Sequence, residues 1–147
     1  MGCDLKRIHQ ALADQVRARI NADVEVYAWP QRTPANKSVT VYPGASGPYV
    51  DYFGTMGANG MAAMSVELVV EFVSIDDESE FSLLSELLSV GTGAEASIVD
   101  AVHADVSLGG LVQSATILTV DWPFDPAGPI TARLPCNILF LKEGAEV

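Results

Sequence analysis

The feature that most restricts the fold of this chain is the alternating segment at residues 64–73. One set of alternate positions is wholly apolar: Met64, Val66, Leu68, Val70 and Phe72. The other set is mixed: Ser65, Glu67, Val69, Glu71 and Val73. Because successive side chains of a strand point to opposite faces, this period of two predicts a strand. We expect the apolar set to pack on a core and the mixed set to be half-solvated or to face a partner.

The residues before this strand predict one helix and several shorter strands. Asp4 is a suitable N-cap. It precedes an apolar stripe at helical spacing, formed by Leu5, Ile8, Leu12, Val16 and Ile20. Short alternating or apolar runs at 24–29, 39–42 and 49–53 predict strands.

The residues after it predict two more helices and two strands. Asp77 and Glu80 stand in the relation of a capping box before a helix that ends at Gly91, and Thr92 and Glu95 repeat that signature. The third helix buries Ile98, Val99, Val102 and Val106 and ends before Gly109. Strands follow at 111–122 and 130–141. The order α-β-β-β-β-α-α-β-β predicts an α+β fold with a mostly antiparallel sheet and helices packed on one face. At 147 residues, 1–147 is expected to be a single domain.

The charge of the chain is strongly acidic and unevenly placed. The formal net charge is −11, and no Lys or Arg lies between Lys37 and Arg133. Half of the basic residues, Lys6, Arg7, Arg17 and Arg19, lie in the first twenty positions. Affinity for nucleic acid requires cations that neutralise phosphates, so tight or specific nucleic-acid binding is not expected.

Membrane insertion and disulfide bonding are not expected either. No apolar run approaches the roughly 18 residues of a membrane span. The two cysteines do not make a disulfide framework: Cys136 is predicted to be a small core residue and Cys3 an exposed thiol. The first ten residues lack the apolar centre of a signal peptide, so synthesis in a cytoplasm is expected.

The sequence offers little for catalysis, and we predict no catalytic residue, no cofactor and no metal site. His9 and His103 are interpreted as helix-surface residues, since neither has an identifiable partner to tune it. The acidic residues at 76–80 suit the first turn of a helix better than a calcium loop. The glycines at 54–60 lack the lysine and the following helix of a phosphate loop, which favours turns.

The segment 43–63 is rich in Gly and Met and is predicted to include a long hairpin whose tip is 57–60. Such an arm could lie against a neighbouring subunit and adapt to its surface. Its candidate contact residues are Met56, Gly57, Asn59, Gly60 and Met61. An exposed loop without a partner explains the same composition, and both interpretations remain open.

Residues 97–112, SIVDAVHADVSLGGLV, resemble a segment typical of tail terminator proteins of long-tailed bacteriophages of actinobacteria, with its helix, Leu-Gly-Gly turn and following strand. The resemblance extends to the order of elements over most of the chain and is weakest at 43–63. It implies a structural virion protein that forms a ring, typically a hexamer, at the head-proximal end of the tail tube. The implied partners are further copies of the chain, the major tail tube protein and the head–tail stopper or connector. Genomic DNA would pass through the ring without specific binding.

An acidic ring suits such a passage, because like charges repel phosphates. The candidate lumen or interface residues are Asp51, Glu67 and Glu71, all in the span without basic residues. The basic first helix is expected to face outward or toward a neighbour. The alternatives are a head–tail stopper or another neck protein and, from a different class, a monomeric binding module or a small enzyme.

Overall fold

The computed structural model describes residues 5–20, 24–32, 37–44, 49–51, 61–72, 78–89, 97–121 and 130–141. Its helices are α1 (Leu5–Arg17), α2 (Glu78–Leu88) and α3 (Ile98–His103). Its strands are β1 (Glu25–Tyr27), β2 (Lys37–Pro43), β3 (Val50–Asp51), β4 (Met61–Phe72), β5 (Ser114–Ile117) and β6 (Ile130–Leu141). This order of elements is the one predicted from the sequence.

The described strands form one six-stranded sheet in the order β1-β2-β4-β6-β5, and β3 pairs with β4 beyond the end of β2. Only β1 and β2 are parallel, while the other pairs are antiparallel. The alternating segment is the centre of the sheet, because β4 pairs with β6 over its full length. The predicted α+β class with a mostly antiparallel sheet is confirmed.

The two faces of β4 differ as its sequence predicts. The side chains of Met64, Val66, Leu68, Val70 and Phe72 are completely buried. On the other face Ser65 and Glu71 are half-buried, whereas Glu67 and Val69 are buried. The apolar set therefore forms the centre of the core. The mixed set is more enclosed than its polarity suggests.

The helices complete the core on the apolar side of the sheet. The stripe of α1 is buried at Ile8, Leu12 and Val16, and it belongs to one cluster with Val39 and Leu68 of the sheet. The buried residues of α2 and α3 join the same cluster: Leu84, Leu87, Ile98, Val99 and Val102. Cys136 is buried there too, as predicted, and burial raises the pKa of its thiol to about 12.

Helix α3 is shorter than predicted and begins differently. Its N-cap is Ser97, whose hydroxyl accepts a hydrogen bond from the amide of Asp100. The capping residues Asp4, Asp77, Thr92 and Glu95 and the thiol of Cys3 lie outside the described residues. Val106 was expected in the core, but it is 41% exposed, so that prediction is wrong.

The reason is a side-chain-stabilised turn after His103. The carboxylate of Asp105 accepts hydrogen bonds from the amides of Ser107 and Gly109 and from the hydroxyl of Ser107. Such bonds compete with helical ones and redirect the chain. Leu108, Gly109 and Gly110 then all have positive φ, at 50°, 76° and 89°. Leu108 adopts this costly conformation with its side chain buried, which anchors the turn to the core.

Strand β5 is also shorter than the predicted strand at 111–122: residues 111–113 still belong to the turn, and Pro135 of β6 explains the early end of the strand. The amide of Leu118 donates to the carbonyl of Pro135 at 2.9 Å, but a proline has no N–H to donate in return. Regular pairing resumes only where Asp121 and Arg133 exchange two backbone hydrogen bonds. Between these two pairs, Thr119 and Val120 lie opposite Leu134 alone. The missing donor therefore coincides with a β-bulge.

The predicted strand at 49–53 and the hairpin after it are described only in part. Strand β3 covers Val50 and Asp51 and pairs with Met64 and Ala63. Of the candidate arm residues, Met61 is the first residue of β4 and pairs with Leu141. The others, Met56, Gly57, Asn59 and Gly60, lie outside the described residues.

Candidate interaction surface

The sheet face opposite the core is defined here as the outer face. It carries the alternate positions of four neighbouring strands: Ser38, Thr40 and Tyr42 of β2; Ser65, Glu67, Val69 and Glu71 of β4; Thr131, Arg133, Pro135 and Asn137 of β6; and Thr116 of β5. The described helices place their buried side chains in the core on the other side of the sheet. Among the described elements, the outer face is therefore the polar side of the sheet, opposite the helices.

One row across the outer face combines apolar exposure with a charge. The strand register aligns Tyr42, Glu67 and Pro135, and the hydrogen bond of Leu118 to Pro135 extends the row to the strand edge. Tyr42 is 40% exposed and Leu118 is 61% exposed. An exposed aromatic ring and an exposed leucine on one sheet face are typical of a contact surface.

An ion pair occupies the middle of this face. Nη1 of Arg133 lies 2.8 Å from Oε1 of Glu67. Glu67 is buried, whereas the side chain of Arg133 is about half exposed. The guanidinium therefore stabilises a carboxylate that has lost most of its water, while keeping one side toward solvent. Arg133 ends the basic-free span of the sequence, and its charge falls among the acidic residues of β4.

The three predicted acidic residues share the outer face, but they do not form one cluster. Asp51 pairs with Ala63 of β4, and Glu71 is eight positions further along that strand. At about 3.3 Å per residue these two rows are roughly 26 Å apart. Glu67 lies between them and is paired with Arg133. The structure thus gives an acidic band along β4, neutralised near its middle.

Two members of the face were missed by sequence reasoning: Tyr42 and Asp121. Asp121 stands opposite Arg133 in an isolated bridge, which puts a further acidic residue on the outer face. Period-two alternation shows which residues share a face within one strand. It does not give the register between strands, so these neighbours could not be paired from the sequence.

A shallow depression lies at the β2 side of the outer face. It is lined by Gln31, Ser38, Thr40, Tyr42, Val69 and Glu71, and its volume of about 20 Å³ has room for about one water molecule. The lining offers a carboxylate, hydroxyl and amide oxygens and an aromatic ring. All of these groups can accept from, or stack on, a cation. The depression therefore suits an ammonium or guanidinium group better than an anion.

The opposite side of the molecule carries the basic face of α1, defined by Lys6, Arg7, Gln10, Asp14 and Arg17. All five side chains are exposed, and they comprise three cations and one carboxylate. Arg17 is held in place, because its guanidinium donates to Oδ1 of Asp14 at 2.7 Å and to the carbonyl of Val26 at 2.6 Å. Since α1 buries its other face in the core, its basic face points away from the sheet.

His9 was expected on a helix surface, and that prediction is wrong, because its side chain is completely buried. Its Nδ1 lies 2.9 Å from the carbonyl of Ala28, and Nε2 lies 2.8 Å from the hydroxyl of Tyr49. Because a carbonyl can only accept, Nδ1 carries the proton and the Tyr49 hydroxyl donates to Nε2. The ring also stacks on Trp29, with centroids 3.8 Å apart and planes within 4°. His9, Ala13 and Val16 are spaced by four and three residues, a helical pattern that could have indicated this burial.

The buried position of His9 affects its chemistry. Desolvation lowers the pKa of the imidazole, partly opposed by the hydrogen bond to Ala28, and burial raises the pKa of Tyr49. Both ring nitrogens are occupied by protein groups, which leaves neither one for a ligand. His9 therefore joins α1 to the β1 loop and β3 as a neutral structural link.

His103 is exposed, as predicted, and unlike His9 it makes a hydrogen bond at the edge of the sheet. Its Nε2 accepts a hydrogen bond from the backbone amide of Ile117 at 3.1 Å. That amide lies on the side of β5 turned away from β6. The imidazole therefore covers a backbone donor at the edge of the sheet.

Within the described ranges, no three His, Cys, Asp or Glu side chains are placed together to hold a metal ion. None of the helices in those ranges is long and apolar enough to cross a membrane.

The sequence matches no known protein-family model. No curated protein matches it either. The outer face with its cation-accepting depression and the basic face of α1 are thus the two surfaces from which a function can be argued.

Proposed function

We propose that this protein is a tail terminator of a long-tailed bacteriophage, a structural virion protein that forms a ring on the head-proximal end of the tail tube. The ring ends polymerisation of the tube and offers a docking surface to the head–tail connector. The observation that carries the proposal is the unit at residues 97–112, whose sequence resembles that of terminators. Here it forms a Ser97-capped helix, a Leu-Gly-Gly turn and a chain that enters an edge strand.

The hydrogen bonds and backbone angles of residues 97–112 explain why particular residue types occur in this sequence pattern. The hydroxyl of Ser97 caps the helix, and the carboxylate of Asp105 accepts a hydrogen bond from the amide of Gly109 in the turn. The two glycines take up positive φ without the steric cost that a side chain would add. Ser97, Asp105 and the two glycines, four of the residues on which the resemblance rests, therefore each have a defined role in turning the chain from α3 into β5.

The electrostatic character of the chain also supports the proposal. A ring of subunits that each carry a net charge of −11 repels DNA phosphates from its lumen, so DNA slides instead of binding. The acidic band at Asp51, Glu67 and Glu71 supplies a candidate lumen or interface surface, although Arg133 neutralises one of its members.

The experiment is to omit this protein from phage assembly and to examine the particles by electron microscopy. Overlong tail tubes without heads are expected, because nothing would stop tube growth. Tubes of normal length that fail to join heads would instead assign the protein as a head–tail stopper. Complete, infectious particles would contradict both assignments and favour a binding module or an enzyme outside the virion.

A further inference from the structure

The structure places two surfaces of opposite charge on opposite sides of one subunit. The outer face carries Asp51, Glu71 and Asp121 in addition to the paired Glu67 and Arg133. The basic face of α1 carries three cations and a single carboxylate. The core and the sheet lie between these surfaces.

We infer that the basic face of α1 of one subunit docks on the outer face of the next, with Arg7 lying over the depression beside Glu71. This inference rests on the proposed function for the choice of a second copy as the occupant. It goes further in naming the two contacting surfaces and in assigning the depression to a guanidinium group.

Charge complementarity is the first argument for this occupant. The outer face is acidic in a chain whose Lys and Arg residues are scarce, and half of them lie on or beside α1. A second copy therefore brings to the outer face one of the few cationic surfaces that the chain possesses. Complementary charges of this kind fix the orientation of two partners more than they add affinity.

The geometry of the two surfaces gives the second argument. Surfaces on opposite sides of a subunit cannot satisfy each other in a two-fold dimer, where the same patch meets itself. They produce head-to-tail contacts, and such contacts close into a ring when the rotation between subunits permits. The placement of charge thus favours a head-to-tail contact, the kind of contact from which a ring is built.

The third argument is the fit of Arg7 to the depression. Arg17 is already held by Asp14 and Val26, whereas Arg7 is exposed near the beginning of α1. At the depression a guanidinium group would meet the Glu71 carboxylate and the exposed ring of Tyr42, above the buried residues Ser38 and Thr40. A planar cation can donate to the carboxylate and stack on the ring.

The test is a charge exchange measured by sedimentation velocity at low salt. Glu71→Lys and Arg7→Glu should each weaken self-association at least about tenfold, since each places like charges in contact. The double variant E71K/R7E should recover it, because the pair is restored with its signs exchanged. A mixture of the two single variants should also assemble, because every contact between unlike variants joins opposite charges. Such a ring has alternating subunits, which a hexamer permits because it contains an even number of them. Ser82→Lys, which adds a positive charge at an exposed position of α2 outside both surfaces, is the control and should leave assembly unchanged.

The outcomes separate this inference from the proposed function. Wild-type protein that stays monomeric up to about 0.1 mM at low salt would overturn the self-docking inference. It would also be overturned if rings form and both single variants keep them, or if the double variant fails to recover. Tail length in phage carrying Glu71→Lys is a separate readout. Normal tails with unchanged rings would leave the terminator assignment standing and move the interface elsewhere.

Discussion

The two faces of strand β4 use the same backbone for different purposes. On the core face every side chain is apolar and buried, and each position contributes mainly through its volume. On the outer face the residues act through particular partners: Glu67 through Arg133, and Glu71 through the groups around the depression. The comparison shows that the contribution of the core face depends on hydrophobicity and packing. The contribution of the outer face depends on the identity of the residue that lies opposite on the neighbouring strand. Substitutions on the two faces should therefore fail in different ways.

The largest expected effect is the loss of packing on the core face. Leu68→Ala removes most of a completely buried side chain at the centre of the sheet and leaves a cavity. We expect it to lower the free energy of unfolding by about 2–5 kcal/mol. Chemical denaturation followed by circular dichroism measures this directly. A loss below about 1 kcal/mol would mean that the core collapses around the gap.

A matched pair of neighbours gives a sharper comparison of the faces. Val70→Thr places a hydroxyl in the apolar core and should cost about 1–3 kcal/mol, because the hydroxyl loses its water. Val69→Thr makes the same change at a buried position of the outer face, where the hydroxyl of Thr40 lies on the neighbouring strand as a hydrogen-bond partner, so it should cost less than Val70→Thr. Equal losses in the two variants would contradict the assignment of distinct roles to the faces.

The ion pair of the outer face should contribute less than core packing. Arg133→Met leaves the buried Glu67 carboxylate without its partner and should cost about 1 kcal/mol, a value reduced by the exposure of the guanidinium. The double variant E67Q/R133M should be more stable than R133M, since the buried charge is then absent. A double-mutant cycle measures the coupling. Additive single effects would show that the pair contributes nothing to stability.

The smallest expected effect is a pH dependence that comes from the one buried imidazole. Burial lowers the pKa of His9 in the folded chain below the ordinary value of about 6.5, so the unfolded chain binds more protons between the two values. Its contribution to stability is therefore complete above pH 6.5 and is lost as the pH falls through the folded pKa. His9→Gln, whose amide can still donate and accept, should flatten this part of the stability profile. A profile unchanged by the substitution would assign the acid sensitivity to other groups.

The parts of the molecule that follow from local pattern were predictable. The alternation at 64–73 gave the central strand and its core face, and β6 was predicted with the bounds Ile130–Leu141. The parts that depend on contacts between distant residues were not. The end of β5 depends on a proline in β6, and the burial of His9 depends on Ala28, Trp29 and Tyr49. The pairing of Glu67 with Arg133 depends on cross-strand register, which no single strand reveals.

The bulge at Pro135 affects the tendency of this chain to aggregate by strand addition. A strand at the border of a sheet is a template on which a further chain can add, and repeated addition leads to fibrils. On the β5 border regular pairing ends at Ile117, the bulge follows, and His103 occupies the amide of Ile117. On the opposite border β1 is only three residues long. Both borders of the described sheet are thus poor sites for strand addition, which disfavours fibril formation when copies of the chain are concentrated.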